Sequence, residues 1–234
     1  MLKPYQQIAI LECGEPLVPL SGTEFSLVLP HPYAKLGAPY GEASPFCVRQ
    51  GVRDRLRSAQ EILQRTHPGW RIQVFDAYRP IAVQQFMVTH TFNEQVEERG
   101  LTSSQLSEAE RQAVLQQVYE FWAVPNPDPA LPPPHSTGAA IDLTLVNPSG
   151  EVVDMGSPID EISPRSHPQH FIASAEPQQQ FHRDRLTLAQ VMQAAGFTQH
   201  PNEWWHFSHG DQMWAWLTRQ AGMAGAIAKY GRVD

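Results

Sequence analysis

The chain has 234 residues, enough for one large domain with a full core or a domain carrying an insertion. Its 41% hydrophobic and 18% charged residues exclude wholesale disorder, and a net charge of −7 with no Lys/Arg run excludes nucleic acid as the main partner. Cys13 and Cys47 are too few and too far apart for a zinc ribbon or a disulfide scaffold, so they read as free thiols of a reducing compartment. Met1 to Leu20 carry Glu12 and Glu15 and no apolar run behind a basic start. No stretch approaches the roughly 20 apolar residues of a bilayer span. The expectation is a soluble cytoplasmic protein without membrane contact; oligomeric state is not readable.

Residues 1 to about 47 are rich in Pro and Gly and read as loops and a strand, the latter around Phe25-Ser26-Leu27-Val28-Leu29. Val52, Leu56, Ala59 and Leu63 recur at helical spacing and predict an amphipathic helix over about 48–65. After the break at His67-Pro68-Gly69, Trp70, Ile72 and Val74 alternate with polar residues, a strand leading into Asp76-Ala77-Tyr78-Arg79-Pro80. A helix opens at Pro80 and runs to about Glu98. Residues 99–106 read as a loop, and Ser107 with Glu108 and Glu110 opens a helix faced by Val114, Leu115, Val118, Phe121 and Trp122.

Six prolines within 125–134 force an extended, polyproline-like chain. It is either a surface linker or a stiff approach to His135. Ile141, Leu143 and Leu145 alternate with Asp142 and Thr144, a half-buried strand. Asn147-Pro148-Ser149-Gly150 is a turn, with Glu151 to Asp154 as the return strand of a hairpin. Leu186 to Ala195 is helical with Gly196 as its cap, and Glu203 to Phe207 is a closing strand. Helices and antiparallel strands in mixed order predict an α+β fold with a central antiparallel sheet and flanking helices.

Chemistry concentrates in His135-Ser136-Thr137-Gly138-Ala139-Ala140-Ile141-Asp142 and the distant Glu203-Trp204-Trp205-His206. Two imidazoles and a carboxylate, His135, Asp142 and His206, make a metal-ligand set that leaves a fourth position for water. Gly138 permits a tight approach or a positive φ between the first two. Glu203 and His206 would face opposite sides of a regular strand, so both can serve one site only if the backbone bends or Glu203 lies on the entering loop.

The pattern His135-x-x-Gly138-x-Ala140-x-Asp142, the Glu203-x-x-His206 tail and Asp76-x-Tyr78-Arg79-Pro80 together resemble the D-alanyl-D-alanine dipeptidases. These are zinc peptidases sharing the hedgehog/DD-peptidase fold. Met155-Gly156-Ser157 with Asp160, and Arg165-Ser166-His167, are similar to the same branch. The resemblance covers about 45–207 apart from the segment near 99–130. It implies one zinc ion on His135, Asp142 and His206, Glu203 as general base, and Arg79 as transition-state stabiliser. It also implies Asp160 as the partner of the substrate ammonium. Asp76 and Tyr78 are read as supporting residues around these groups. Asp76 would orient Arg79 or a ligand imidazole, or merely cap its turn. The family Ser two residues before the first ligand is Pro133 here, so Ser136 or another group must serve the substrate in its place.

The whole chain is thus expected to be one zinc dipeptidase domain, with 99–134 a helical and Pro-rich insertion, splitting a small dipeptide into two D-alanines. Three alternatives stand beside it. A non-haem iron oxygenase usually has one residue between its first His and its acid, where this chain has six. A non-catalytic metal module would need neither Glu203 nor Arg79. A carboxypeptidase or endopeptidase of cell-wall peptides would use the same site. The remaining histidines, His31, His67, His90, His167, His170, His182, His200 and His209, are expected in surface or capping roles.

Overall fold

A computed structural model describes residues 3–233. In chain order it contains β1 (Leu17–Pro19), β2 (Ser26–Leu27), the single-turn α1 (Pro32–Lys35), β3 (Cys47–Arg49) and α2 (Gln50–Thr66). Next come β4 (Arg71–Asp76), α3 (Ile81–Glu97), α4 (Glu108–Phe121) and β5 (Ala140–Val146). The chain closes with α5 (Gln179–Ala194), β6 (Thr198–Gln199), β7 (His206–Ser208) and α6 (Gln212–Gln220). Among the described residues no helix is long and apolar enough to cross a membrane.

The main sheet has the order β2-β4-β5-β7-β6. Its pairs are antiparallel except β2 with β4, which is parallel, so the expected antiparallel sheet carries one parallel edge. One face, built from Ile72, Val74, Ile141, Leu143, Leu145 and Phe207, packs under α2 and α5. The helical stripe Val52, Leu56, Ala59 and Leu63 is fully buried there. Val52, Leu56 and Leu63 each stabilise the fold by roughly 1.5–3 kcal/mol. A second apolar cluster joins α3 to α4 through Val83, Met87, Phe92, Val114, Val118 and Trp122, with Tyr33 and Tyr40 packed onto it.

Local chemistry sets the ends of the helices. Ser107 accepts from the Glu110 N–H, and the Glu110 carboxylate accepts from the Ser107 N–H, a reciprocal capping box that fixes the start of α4. Gly196, at φ +89°, lets the chain turn back so that the Phe197 N–H reaches the Met192 carbonyl and ends α5.

Four expectations need correction. Strand β5 is buried at all seven positions, not half-buried, because loops and the side chains of the site cover its second face. The return segment after the turn forms only a bridge from Val152 to Val146. Strand β7 already pairs with Ala140 to Asp142, and the Leu143 N–H donates to the Trp205 carbonyl, so little of that edge of β5 is left. Helix α5 begins seven residues before Leu186, through a polar first stretch without apolar periodicity. The last strand begins at His206, which leaves Glu203 on the loop that enters it.

Candidate active site

Three neighbouring strands set the base of the site. In register, Asp142 of β5 lies opposite His206 of β7 on one side and opposite Asp76 of β4 on the other. A β-bulge between Val74 and Asp76 produces that second pairing. His135 comes from the turn just before β5. Its carbonyl accepts from the Arg79 N–H at 3.2 Å, and its Nδ1 bonds the Ala77 carbonyl at 2.7 Å. Gly138 closes that turn at φ +69°, and a Cβ there would collide with Leu17.

The donor atoms converge. His135 Nε2 lies 3.3 Å from Asp142 Oδ2 and 3.2 Å from His206 Nδ1, which is 3.1 Å from Asp142 Oδ1. Tetrahedral ligands at about 2.0–2.1 Å from one zinc ion stand about 3.3 Å apart. The Ala77 contact puts the His135 proton on Nδ1, so Nε2 points a lone pair into the cluster. Asp142 Oδ1 is buried without a hydrogen-bond partner. Facing lone pairs beside an unsatisfied carboxylate oxygen are costly unless a cation bridges them. The residues therefore fit a divalent metal. Burial alone would raise the Asp142 carboxyl, but His135 and His206 hold it well below the usual carboxylate range.

Arg79 lies beside the donors on a built platform. Its Nε and Nη2 donate to Asp76 Oδ2 at 3.1 and 2.8 Å, Nη1 donates to Gln84 Oε1 at 2.8 Å, and Nη2 is 3.5 Å from Asp142 Oδ2. Its guanidinium packs over the rings of Tyr33 and Trp122. Asp76 Oδ1 accepts from Tyr40 and pairs with His31 Nε2, both at 3.0 Å, and Asp76 Oδ2 is 3.4 Å from His135 Nδ1. Asp76 thus touches both Arg79 and a donor imidazole, so it is no simple turn cap.

Glu203 has Oε2 3.6 Å from His206 Nδ1 and Oε1 3.6 Å from His200 Nδ1. Burial, then the Asp142 and Asp160 carboxylates, push its carboxyl well above the ordinary value. Asp160, at φ +69°, accepts from the Tyr33 hydroxyl at 2.8 Å. Burial first and Asp142 second push its carboxyl up to about 7. The loop carrying Asp160 is clamped by buried Arg185, which donates to the carbonyls of Met155 and His167 and to Ser157 Oγ. Trp204, the neighbour of Glu203, donates to the same hydroxyl. This gives Met155-Gly156-Ser157 and Arg165-Ser166-His167 their place in the fold, at the two ends of one loop.

The cavity over these groups is small, about 40 Å³ to the centres of water molecules, and His135, Asp142, Asp160, Glu203, His206, Arg79 and Trp122 line it. Asp76 stands behind Arg79 and does not line it, and neither do Ser136 and Tyr78. The Ser136 hydroxyl is fully buried and donates to the Arg79 carbonyl at 2.7 Å, which spends it on the backbone and not on a ligand. The Tyr78 hydroxyl donates to the Val233 carbonyl at 3.1 Å.

Sequence reasoning missed His200, Tyr33 and Lys3, which come from loops or single turns without periodicity. His31 does cap α1, its Nδ1 accepting from the Ala34 N–H, but its pairing with Asp76 was not foreseen. A signal for His200 existed. Pro201-Asn202 is a turn between two short strands, and that turn sets His200 opposite His206, whose carbonyl accepts from the His200 N–H at 2.9 Å. Burial, then His206, holds the His200 imidazole well below its ordinary pKa. His209 is also internal. It bonds the Gly196 carbonyl and packs on Trp214, a structural role.

An α+β scaffold with two histidines and an aspartate at one point, and a buried glutamate against them, defines a metallopeptidase. A family model described as peptidase M15, D-ala-D-ala dipeptidase, matches residues 27–222. The chain belongs to this family. It is 49% identical to a D-alanyl-D-alanine dipeptidase of Synechocystis sp., over 100% of this chain and 98% of that one. A D-alanyl-D-alanine dipeptidase of Escherichia coli is 47% identical over 31% of this chain and 36% of its own length. Among solved structures, the LdcB LD-carboxypeptidase is similar at a TM-score of 0.46 and 14% identity, over 96% of this chain and 85% of that one.

Proposed function

We propose that the protein hydrolyses the free dipeptide D-alanyl-D-alanine to two D-alanines, using one zinc ion held by His135, Asp142 and His206. The observation that carries this is the set of three donor atoms 3.1 to 3.3 Å apart with the Glu203 carboxylate 3.6 Å from one of them. The full-length relative named for this activity supports the substrate.

When bound, zinc supplies Lewis acidity, lowering the pKa of a water toward neutrality and polarising the scissile carbonyl. Glu203 takes a proton from the attacking water as the new carbon–oxygen bond forms. It then delivers that proton to the departing amine nitrogen as the carbon–nitrogen bond breaks. A cation beside Asp142 would offset one cause of the rise in the Glu203 pKa, which leaves the carboxylate able to accept the proton. Arg79, kept charged and fixed by Asp76, offers its remaining N–H groups to the oxyanion. Asp160 receives the substrate ammonium while bonded to Tyr33. The whole chain acts as one domain, in the cytoplasm, on a small-molecule partner and no nucleic acid.

A carboxypeptidase or endopeptidase of cell-wall peptides would use the same donors, and the full-length relative named as a dipeptidase favours a free dipeptide over it. The test is a panel of free D,D-, L,D- and L,L-dipeptides and of tripeptides, with and without a chelator. Chelator-sensitive turnover confined to D,D-dipeptides is expected; preference for tripeptides would overturn the reading.

A further inference from the structure

A dipeptide is a zwitterion, and the site described so far receives only its ammonium and its scissile bond. Of the two cations lining the cavity, Arg79 is held by Asp76 and Gln84 and its remaining N–H groups serve the oxyanion in the reading above. The other is Lys3, one of only three lysines in the chain. Its Nζ donates to the Tyr119 carbonyl at 3.0 Å and forms no ion pair with a described carboxylate. Glu203 and Glu120 act on it from farther away, and burial lowers its pKa.

The position of Lys3 is specific. The turn Pro4–Gln7 that follows it packs on α6, which anchors this segment against the site. Lys3, Tyr5, Phe121, His200 and Met213 line both the inner cavity and an outer cleft of about 520 Å³. Asp160 and Trp122 instead belong to the cavity and to a different cleft, of about 460 Å³, beside Tyr33 and Phe75. The cavity therefore has an acid at one mouth and an ammonium at the other. A free dipeptide carries the opposite pair at its two ends.

We propose that Lys3 is a specificity-determining residue that binds the free α-carboxylate of the dipeptide; this rests on the dipeptidase reading above. A charge-assisted hydrogen bond to that carboxylate makes the enzyme select peptides that end at the second residue. Longer peptides bring an uncharged amide to the same place.

The test uses the metal-loaded full chain and two probes, D-alanyl-D-alanine and its C-terminal amide. The wild type is expected to prefer the free acid in kcat/KM. Lys3→Met should raise KM for the acid about 10- to 100-fold with kcat within a few-fold, and leave the amide unchanged, so that the preference collapses. Lys3→Arg should keep most of it, and serves where Lys3→Met fails to fold. An acid-to-amide preference that survives Lys3→Met, or an equal loss on both probes, would overturn the assignment and leave Lys3 as a tie to Tyr119. Hydrolysis of neither probe by the wild type would instead remove the dipeptidase reading on which it rests.

Discussion

Asp76 Oδ2 accepts two N–H groups of Arg79 while the same carboxylate lies 3.4 Å from the Nδ1 of His135. One buried acid thus orients the guanidinium and one of the three donor groups together. Outer partners of metal ligands typically change affinity or activity 10- to 100-fold when removed. We expect Asp76→Asn to lower both metal affinity and kcat by about that factor, read by metal titration and steady-state rates. Asp76→Ala should in addition destabilise the fold by about 3–5 kcal/mol, because it strands the Arg79 charge in the interior.

Glu203 and His206 are three residues apart but should fail differently. Glu203→Ala is expected to retain the metal and lose about 10²–10⁴ in rate, the usual contribution of a positioned acid/base. His206→Ala should lose metal by elemental analysis. Near-normal turnover by the first, or full occupancy in the second, would contradict the assigned roles.

Asp160, the proposed partner of the substrate ammonium, predicts a pH dependence. Asp160 is neutral below its raised pKa of about 7 and ionised above it, so substrate binding should strengthen as pH rises. A cation beside Asp142 neutralises one cause of the rise, which moves the midpoint of the loaded enzyme down toward the carboxylate range. KM should therefore fall with pH and then level off between about pH 4 and 7. Asp160→Asn should abolish that limb and raise KM about tenfold or more. A variant KM equal to that of the wild type at pH 8 would disprove the role.

Gly138 tests the backbone. Its left-handed φ and its contact with Leu17 both exclude a side chain. Gly138→Ala should cost about 1–3 kcal/mol in chemical denaturation and weaken metal binding by displacing His135.

Much of this protein is legible without coordinates where chemistry repeats along the chain. The stripe of Val52, Leu56, Ala59 and Leu63 determines α2, and Ser107 with Glu110 determines where α4 begins. His135, Asp142 and His206 read in the sequence as a set of metal-ligand types, and the fold brings their donor atoms to one point. Tertiary structure alone decided what surrounds them. The bulge at Asp76, the loop position of Glu203 and the approach of Lys3, Tyr33 and His200 all depend on contacts between segments far apart in sequence. It also set the Ser136 hydroxyl against the Arg79 carbonyl, to which it donates. Local propensity and periodicity record what neighbouring residues do to one another. The pKa values and partners of buried charges are set by whichever distant groups the fold brings within a few ångströms.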